Sequence, residues 1–268
     1  MTESSISYQF CARTDPGRVR ANNEDAASVD AQAQVAVLAD GMGGYNAGEV
    51  ASGMATTFIQ SELARWIAQA GQNLKALDLR RAMEICVDNA NQAILGAAQS
   101  NPQYAGMGTT LVVCVFQGHR LMLGHIGDSR CYRLRAGVLD QLTRDHSWLQ
   151  EQIDAGLITP EQAALSSCRN LVTRALGVED SVHVEINEFR VEAQDIYLLC
   201  SDGLSEMVDH RELTALVAAP VPLETKVDQL IEAANAHGGR DNIAVVLVQA
   251  GVQPPARRGF MARLLRAA

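Results

Sequence analysis

The chain has 268 residues, 47% of them hydrophobic, and a formal net charge of −9. That apolar content excludes disorder and can fill a sizeable core, while the acidic balance opposes a nucleic-acid partner, which needs a basic face. No window reaches the ~18 continuous apolar residues of a membrane span, and the opening MTESSISYQF is too polar for a secretory signal, so a cytoplasmic protein without a membrane span is expected.

Apolar, β-branched runs at residues 5–11, 26–29 and 35–39 predict the first strands, and the third runs into the string ADGMGG. Residues 47–69 and 78–99 then carry apolar side chains at helical spacing, for example Leu79, Met83, Cys86, Ala90 and Ile94. TLVVCVF and RLMLGHI, joined by QGH, read as a hairpin, and the GDS that follows leads into a third strand, RCYRLR. Residues 144–176 read as short helices interrupted by Gly156 and Pro160, either a helical connector or a candidate flap over a substrate. Strands at 182–190, 195–200 and 243–249 complete the pattern, with a helix over 222–237 that Gly238 and Gly239 end. The order lacks the regular strand–helix alternation of a parallel sheet and predicts an antiparallel α+β sandwich.

One domain over residues 1–250 is therefore expected, followed by a tail, 251–268, in which Arg257, Arg258, Arg263 and Arg266 surround Phe260, Leu264 and Leu265. Such a basic amphipathic tail is frayed or docks weakly on a membrane or partner, since it is too short to bind stably alone. The six cysteines form no C-x-x-C, and four of them lie in apolar runs, which predicts reduced core thiols. Trp66 and Trp148 are expected to pack in the core or the flap.

Four aspartates share one context. Asp40 (ADGMGG), Asp128 (GHIGDSR), Asp202 (YLLCSDGL) and Asp241 (GGRDNIAVV) each follow or punctuate an apolar strand beside a glycine or a polar turn residue. A strand end fixes a side chain well, and glycine lets a ligand come close to the backbone. RVRANNED adds Arg20, Glu24 and Asp25 just before another strand. Carboxylate-rich sites suit hard cations, Mg²⁺ or Mn²⁺. Two such ions ~3.5–4 Å apart can share and acidify a water and neutralise phosphoryl charge. An arginine beside them can hold two phosphate oxygens.

The ordered set R-x-x-x-E-D, ADGMGG, GTT, GDSR, LTRDHS, LVTRALG, SDGL and DN, running from Arg20 to Asn242, resembles the metal-dependent protein phosphatases, the type 2C or PPM family, in their bacterial serine/threonine form. The resemblance implies an αββα sandwich, two antiparallel β-sheets flanked by helical layers. It implies that Asp40 bridges two catalytic cations, that the Gly41 carbonyl ligates one of them, and that Asp202 and Asp241 complete the first cation's shell. Glu24 would hold water at the second, and Asp128 with Asp202 would bind a third. Arg20 would grip the substrate phosphate, and Asp25 and Asn242 would orient the ligands. Gly41, Gly43 and Gly44 would leave room for the cation shell and for a helix starting near Asn46. The implied reaction is hydrolysis of phosphoserine and phosphothreonine in proteins by a hydroxide bridging the two cations, in a monomer that opposes a bacterial serine/threonine kinase and acts on its targets. Where some members carry a histidine after the bridging Asp-Gly this chain has Met42, and His146 in LTRDHS receives no catalytic role.

Three other readings are weighed beside this one. The strings CVFQGHR (Cys114, Arg120) and CRNLVTR (Cys168, Arg174) match the bare C-x5-R of cysteine phosphatases, but about 0.4 such strings are expected by chance. GDSR with the later DSVH offers Ser129 and His183 to a serine esterase, yet SVHVEINEF alternates like a strand with His183 on its wet face. A binding-only pseudophosphatase or a calcium module is opposed by the full set of carboxylates and by the absence of a D-x-[DN]-x-[DN]-G loop around Asp40.

Overall fold

Two antiparallel sheets lie face to face because their central strands are apolar on both sides. In the computed structural model, which describes residues 6–44, 47–71, 74–164, 166 and 171–252, each such strand splits its side chains between two cores. The elements in chain order are β1 (Ile6–Asp15), β2 (Asp25–Asp30), β3 (Val35–Met42), α1 (Ala47–Ala70), α2 (Ala76–Ser100), β4 (Gly108–Thr109), β5 (Leu111–Gln117), β6 (Arg120–Ile126) and β7 (Arg130–Arg135). They continue with β8 (Val138–Gln141), α3 (Trp148–Asp154), α4 (Pro160–Ala164), β9 (Glu185–Arg190), β10 (Ile196–Cys200), α5 (Asp202–Ser205), α6 (His210–Ala218), α7 (Leu223–Ala236) and β11 (Ile243–Val252). One sheet has the order β1-β11-β10-β7-β8 and the other β2-β3-β5-β6-β9, with β4 paired to the end of β3.

The period of two along each strand assigns the layers. Val35, Val37 and Ala39 of β3 and Leu111, Val113 and Val115 of β5 face α1 and α2. Their neighbours Ala36, Leu38, Val112, Cys114 and Phe116 face the other sheet. Ile243, Val245 and Leu247 of β11 pack on α6 and α7, while Ala244, Val246 and Val248 meet the opposite sheet. Each fully buried Leu, Val or Ile contributes roughly 1.5–3 kcal/mol, so the three stacked cores hold the αββα sandwich together. The buried stripe Leu79, Met83, Cys86, Val87, Ala90 and Ile94 of α2 follows the predicted helical spacing.

Several expectations change. Pro160 opens α4 and does not interrupt a helix, since an N–H at a first helical position has no acceptor inside the helix and its absence costs no bond. Trp66 packs against the helix–sheet core, but Trp148 at the start of α3 is exposed. The strand β8 and the helix α6, capped by Asp209 accepting from the Glu212 N–H (2.8 Å), were not predicted. The basic tail from residue 253 on, Asn46 and Cys168 lie outside the described residues. No helix among the described residues is long and apolar enough to cross a membrane.

Candidate metal-dependent active site

The strand ends converge on one cavity of about 220 Å³. Of the nine predicted site residues, eight line it: Arg20, Glu24, Asp40, Gly41, Asp128, Asp202, Asp241 and Asn242. The ninth, Asp25, is buried on β2 as the register partner of Asp40 on β3.

Backbone and hydroxyl contacts fix each ligand candidate. The Asp40 N–H donates to Thr110 Oγ1 (3.0 Å), and the Asp40 carbonyl accepts from Thr109 Oγ1 (2.8 Å) and from the Thr110 N–H (2.9 Å). Thr110 also shares a hydrogen bond with Ser129 (Oγ1···Oγ 2.7 Å), which joins the Asp40 strand to the turn that carries Asp128. Asp202 begins α5 immediately after β10. The preceding Ser201 donates to Asp25 Oδ2 (2.7 Å) and accepts from the Ala244 N–H (2.9 Å), which links the two sheets. Asn242 accepts from the Glu24 N–H (2.8 Å) and donates to the carbonyls of Pro16 (3.0 Å) and Asn22 (2.8 Å), so it braces the whole loop that presents Arg20 and Glu24. Arg20 Nη2 donates to Asp241 Oδ2 at 2.6 Å.

The glycine run makes room for the helix that follows it, as expected, at Gly41 but not at Gly44. A Cβ on Gly41 would lie 2.1 Å from the Gly48 carbonyl oxygen and 2.5 Å from that of Glu24, so the first turns of α1 and the approach to β2 press directly on residue 41. Gly44 has open space around it.

Crowded carboxylates resist ionisation. Burial, reinforced by the neighbouring acids, holds Asp40 well above the ordinary carboxylate range and pushes Asp25 and Asp128 up to about 7 and Asp202 to about 6. Glu24 is raised as well, again mainly by burial. Asp25 Oδ1 is buried with no hydrogen-bond partner. That buried oxygen beside the acids of the cavity, together with their all-oxygen donor set, fits a centre for Mn²⁺ or Mg²⁺.

Met42 and Gly43 also line the cavity, as do Thr110 and Val172, for which no role was predicted. The GTT string was the available signal for Thr110. Val172 brings the 144–176 segment to the site, through a bridge with Ser147.

The alternative nucleophiles are misplaced. Cys114 is buried on β5, its C-x5-R spanning the hairpin and not a loop of convergent amides. Ser129 is buried and hydrogen-bonded to Thr110, and His183 is exposed.

A family profile described as Protein phosphatase 2C matches residues 18–247. The chain is 42% identical over 248 residues to the serine/threonine protein phosphatase PstP of Mycobacterium tuberculosis, covering 92% of this chain but only 46% of that protein, so it spans about half of that relative's length. It is 38% identical over 241 residues to the serine/threonine phosphatase stp of Listeria monocytogenes, covering 88% of this chain and 94% of the relative. A crystal structure of the PstP catalytic domain in complex with two manganese ions superposes with a TM-score of 0.80 at 38% identity, covering 92% of this chain and 99% of that one. Profile, relatives and architecture agree with the acidic cavity, and the chain belongs to the protein phosphatase 2C family.

Proposed function

We propose that the protein is a metal-dependent serine/threonine phosphatase that hydrolyses phosphoserine and phosphothreonine in proteins, opposing a bacterial serine/threonine kinase as a cytoplasmic monomer. The observation that carries this reading is the convergence of five carboxylates and one guanidinium on a single cavity. Asp40, Asp202 and Asp241 would hold the first cation, Asp40 would reach the second with Glu24 holding water there, the Gly41 carbonyl would ligate one of the two, and Asp128 with Asp202 would hold a third. When bound, the two catalytic cations supply Lewis acidity, turning a shared water into the nucleophile and neutralising charge on the phosphoryl group.

The chain's own residues do the rest. Arg20 stands at the cavity, about half-exposed and paired with Asp241, so an arriving phosphate competes with one carboxylate for a fork that can grip two oxygens. Asn242 and Ser201 keep Glu24 and Asp25 in place through the contacts described above. Met42 has no acidic proton to give, so the side chain that follows Asp40 and Gly41 does not protonate the leaving alkoxide. The five described cysteines are free thiols, which suits a reducing compartment.

The test is hydrolysis of p-nitrophenyl phosphate and of a phosphothreonine peptide by chelator-treated protein titrated with Mn²⁺. Activity restored by Mn²⁺, lost in Asp40→Ala and kept in Cys114→Ser supports the reading. No turnover of either substrate at any Mn²⁺ concentration, by protein shown to be folded, overturns it.

A further inference from the structure

The histidine of the LTRDHS string engages Gly127, the residue before Asp128, through both its backbone and its ring. The His146 backbone N–H donates to the Gly127 carbonyl (2.9 Å), and His146 Nδ1 accepts from the Gly127 N–H (3.2 Å). Gly127 sits at φ +98°, and a Cβ there would meet Thr110 Cγ2 at 2.7 Å. The turn is thus a forced conformation whose two backbone polar groups are both satisfied by one residue.

The ring itself is held. Because Nδ1 accepts, the proton sits on Nε2, which faces Glu185 Oε2 at 3.5 Å. His125 stacks on the ring, with centroids 4.6 Å apart and planes 15° from parallel. His125 is in turn fixed by its Nε2 contact with the Arg144 carbonyl (2.9 Å) and by its register pairing with Glu185 across β6 and β9. Burial, with His125 and Arg174 adding to it, pushes His146 down to about 4, so the ring stays neutral and Nδ1 keeps its lone pair.

His125, His146 and Glu185 offer donor atoms within 4.8 Å of one another, a spacing a metal ion could use. Two contacts oppose that use. A metal on His146 Nε2 would move the ring proton to Nδ1, against the Gly127 N–H, and Arg174 Nη1 already stands 3.5 Å from the same Nε2. The cluster has the geometry of a brace.

We propose that His146 is a positioning residue, which holds the Gly127 turn in the shape that aims Asp128 into the acidic cavity and ties that turn to the base of the 144–176 segment. The second link runs through the His146 carbonyl, which accepts from the Thr173 N–H (2.9 Å). This role rests on the assignment of Asp128 to the cation centre. A side chain that orients a ligand typically changes metal affinity about 10–100-fold when removed.

The test uses the full chain in four forms: His146→Leu, which removes the acceptor, His146→Asn, whose Oδ1 can replace Nδ1, Asp128→Ala, and His146→Leu combined with Asp128→Ala. Amide exchange at Gly127 in the metal-free protein and the Mn²⁺ concentration for half-maximal activity are measured on each. Exchange at Gly127 should accelerate at least about 10-fold in His146→Leu, and Mn²⁺ half-saturation should rise about 10-fold or more. His146→Asn should stay within about 3-fold of the parent, and His146→Leu should add nothing in the Asp128→Ala background, as expected for residues acting through one another.

Unchanged Gly127 exchange in His146→Leu, or a further 10-fold loss in the Asp128→Ala background, overturns the proposal. Should His146→Leu not fold, Glu185→Ala removes the group facing Nε2 from a half-exposed position, and unchanged Gly127 exchange there also overturns it. Asp128→Ala with the parent's Mn²⁺ response would remove Asp128 from the cation centre, and His146's role with it, while leaving the phosphatase reading intact. An inactive parent protein overturns the phosphatase reading instead, and Gly127 exchange still decides whether the brace exists.

Discussion

Asp25 and Asp40 face each other as register partners on adjacent antiparallel strands, β2 and β3. Like charges at opposed cross-strand positions destabilise a sheet. Here the neighbouring Asp202 and Asp241 add to the repulsion on both. The fold accepts this conflict at the one place where a ligand can resolve it, which is where local rules are expected to fail.

Removing one charge should therefore stabilise the metal-free protein. Asp202 is pushed from 3.8 to about 6, so the native state binds its proton more tightly than the unfolded chain does. Its contribution to stability is present below about pH 4 and is lost as pH rises to about 6. Asp202→Asn in chelator should gain on the order of 2 kcal/mol at pH 8, or ~4–8 °C in Tm, and almost nothing at pH 4. Paired thermal melts at the two pH values check the sign, and the variant should be inactive with Mn²⁺.

Asp40→Ala and Asp241→Ala should each lower kcat by about 10³-fold or more, with far-UV circular dichroism unchanged. Loss of either removes a proposed oxygen ligand without touching the three apolar cores. An Asp241→Ala enzyme at full rate would sink the assignment of the site.

Arg20→Ala should act mainly on KM, raising it roughly 10-fold for a phosphopeptide with a smaller change in kcat. Arg20→Lys keeps the charge and loses the fork, so it should fall between the parent and the alanine variant. Steady-state kinetics on one phosphothreonine peptide separates the three.

Gly41→Ala should cost about 3 kcal/mol or more, because its methyl would sit 2.1 Å from the Gly48 carbonyl oxygen. Gly44→Ala, with open space around it, should change stability by less than about 1 kcal/mol. Urea unfolding of the two variants side by side tests whether the first glycine is a packing requirement and the second is not.

The major strands and long helices were legible because both periodicities are strong: five apolar residues of α2 at helical spacing, and strands buried on both faces. The acidic residues were legible because each sits beside a strand in a short, recognisable string. The bracing was not. Nothing in Ser201 announces a hydrogen bond to Asp25, 176 positions away, and a lone threonine does not reveal that it holds both Asp40 and Ser129. The strand β8 buries one residue of four, too few to alternate visibly. Pro160 was misread because proline ends a helix in its interior but is at home in its first position.

The acids of the cavity do not come from one sheet. Asp25 and Asp40 belong to the sheet containing β3, Asp202 and Asp241 flank β10 and β11 of the other, and Asp128 lies on the connection from β6 to β7 that crosses between them. Left to themselves, these charges act as a wedge driven into one end of the sandwich, whereas a divalent ion shared among them acts as a staple. The sheets should then part most readily at that end when such ions are scarce, so the lifetime of the protein against proteolysis, and not only its turnover, should follow the supply of metal.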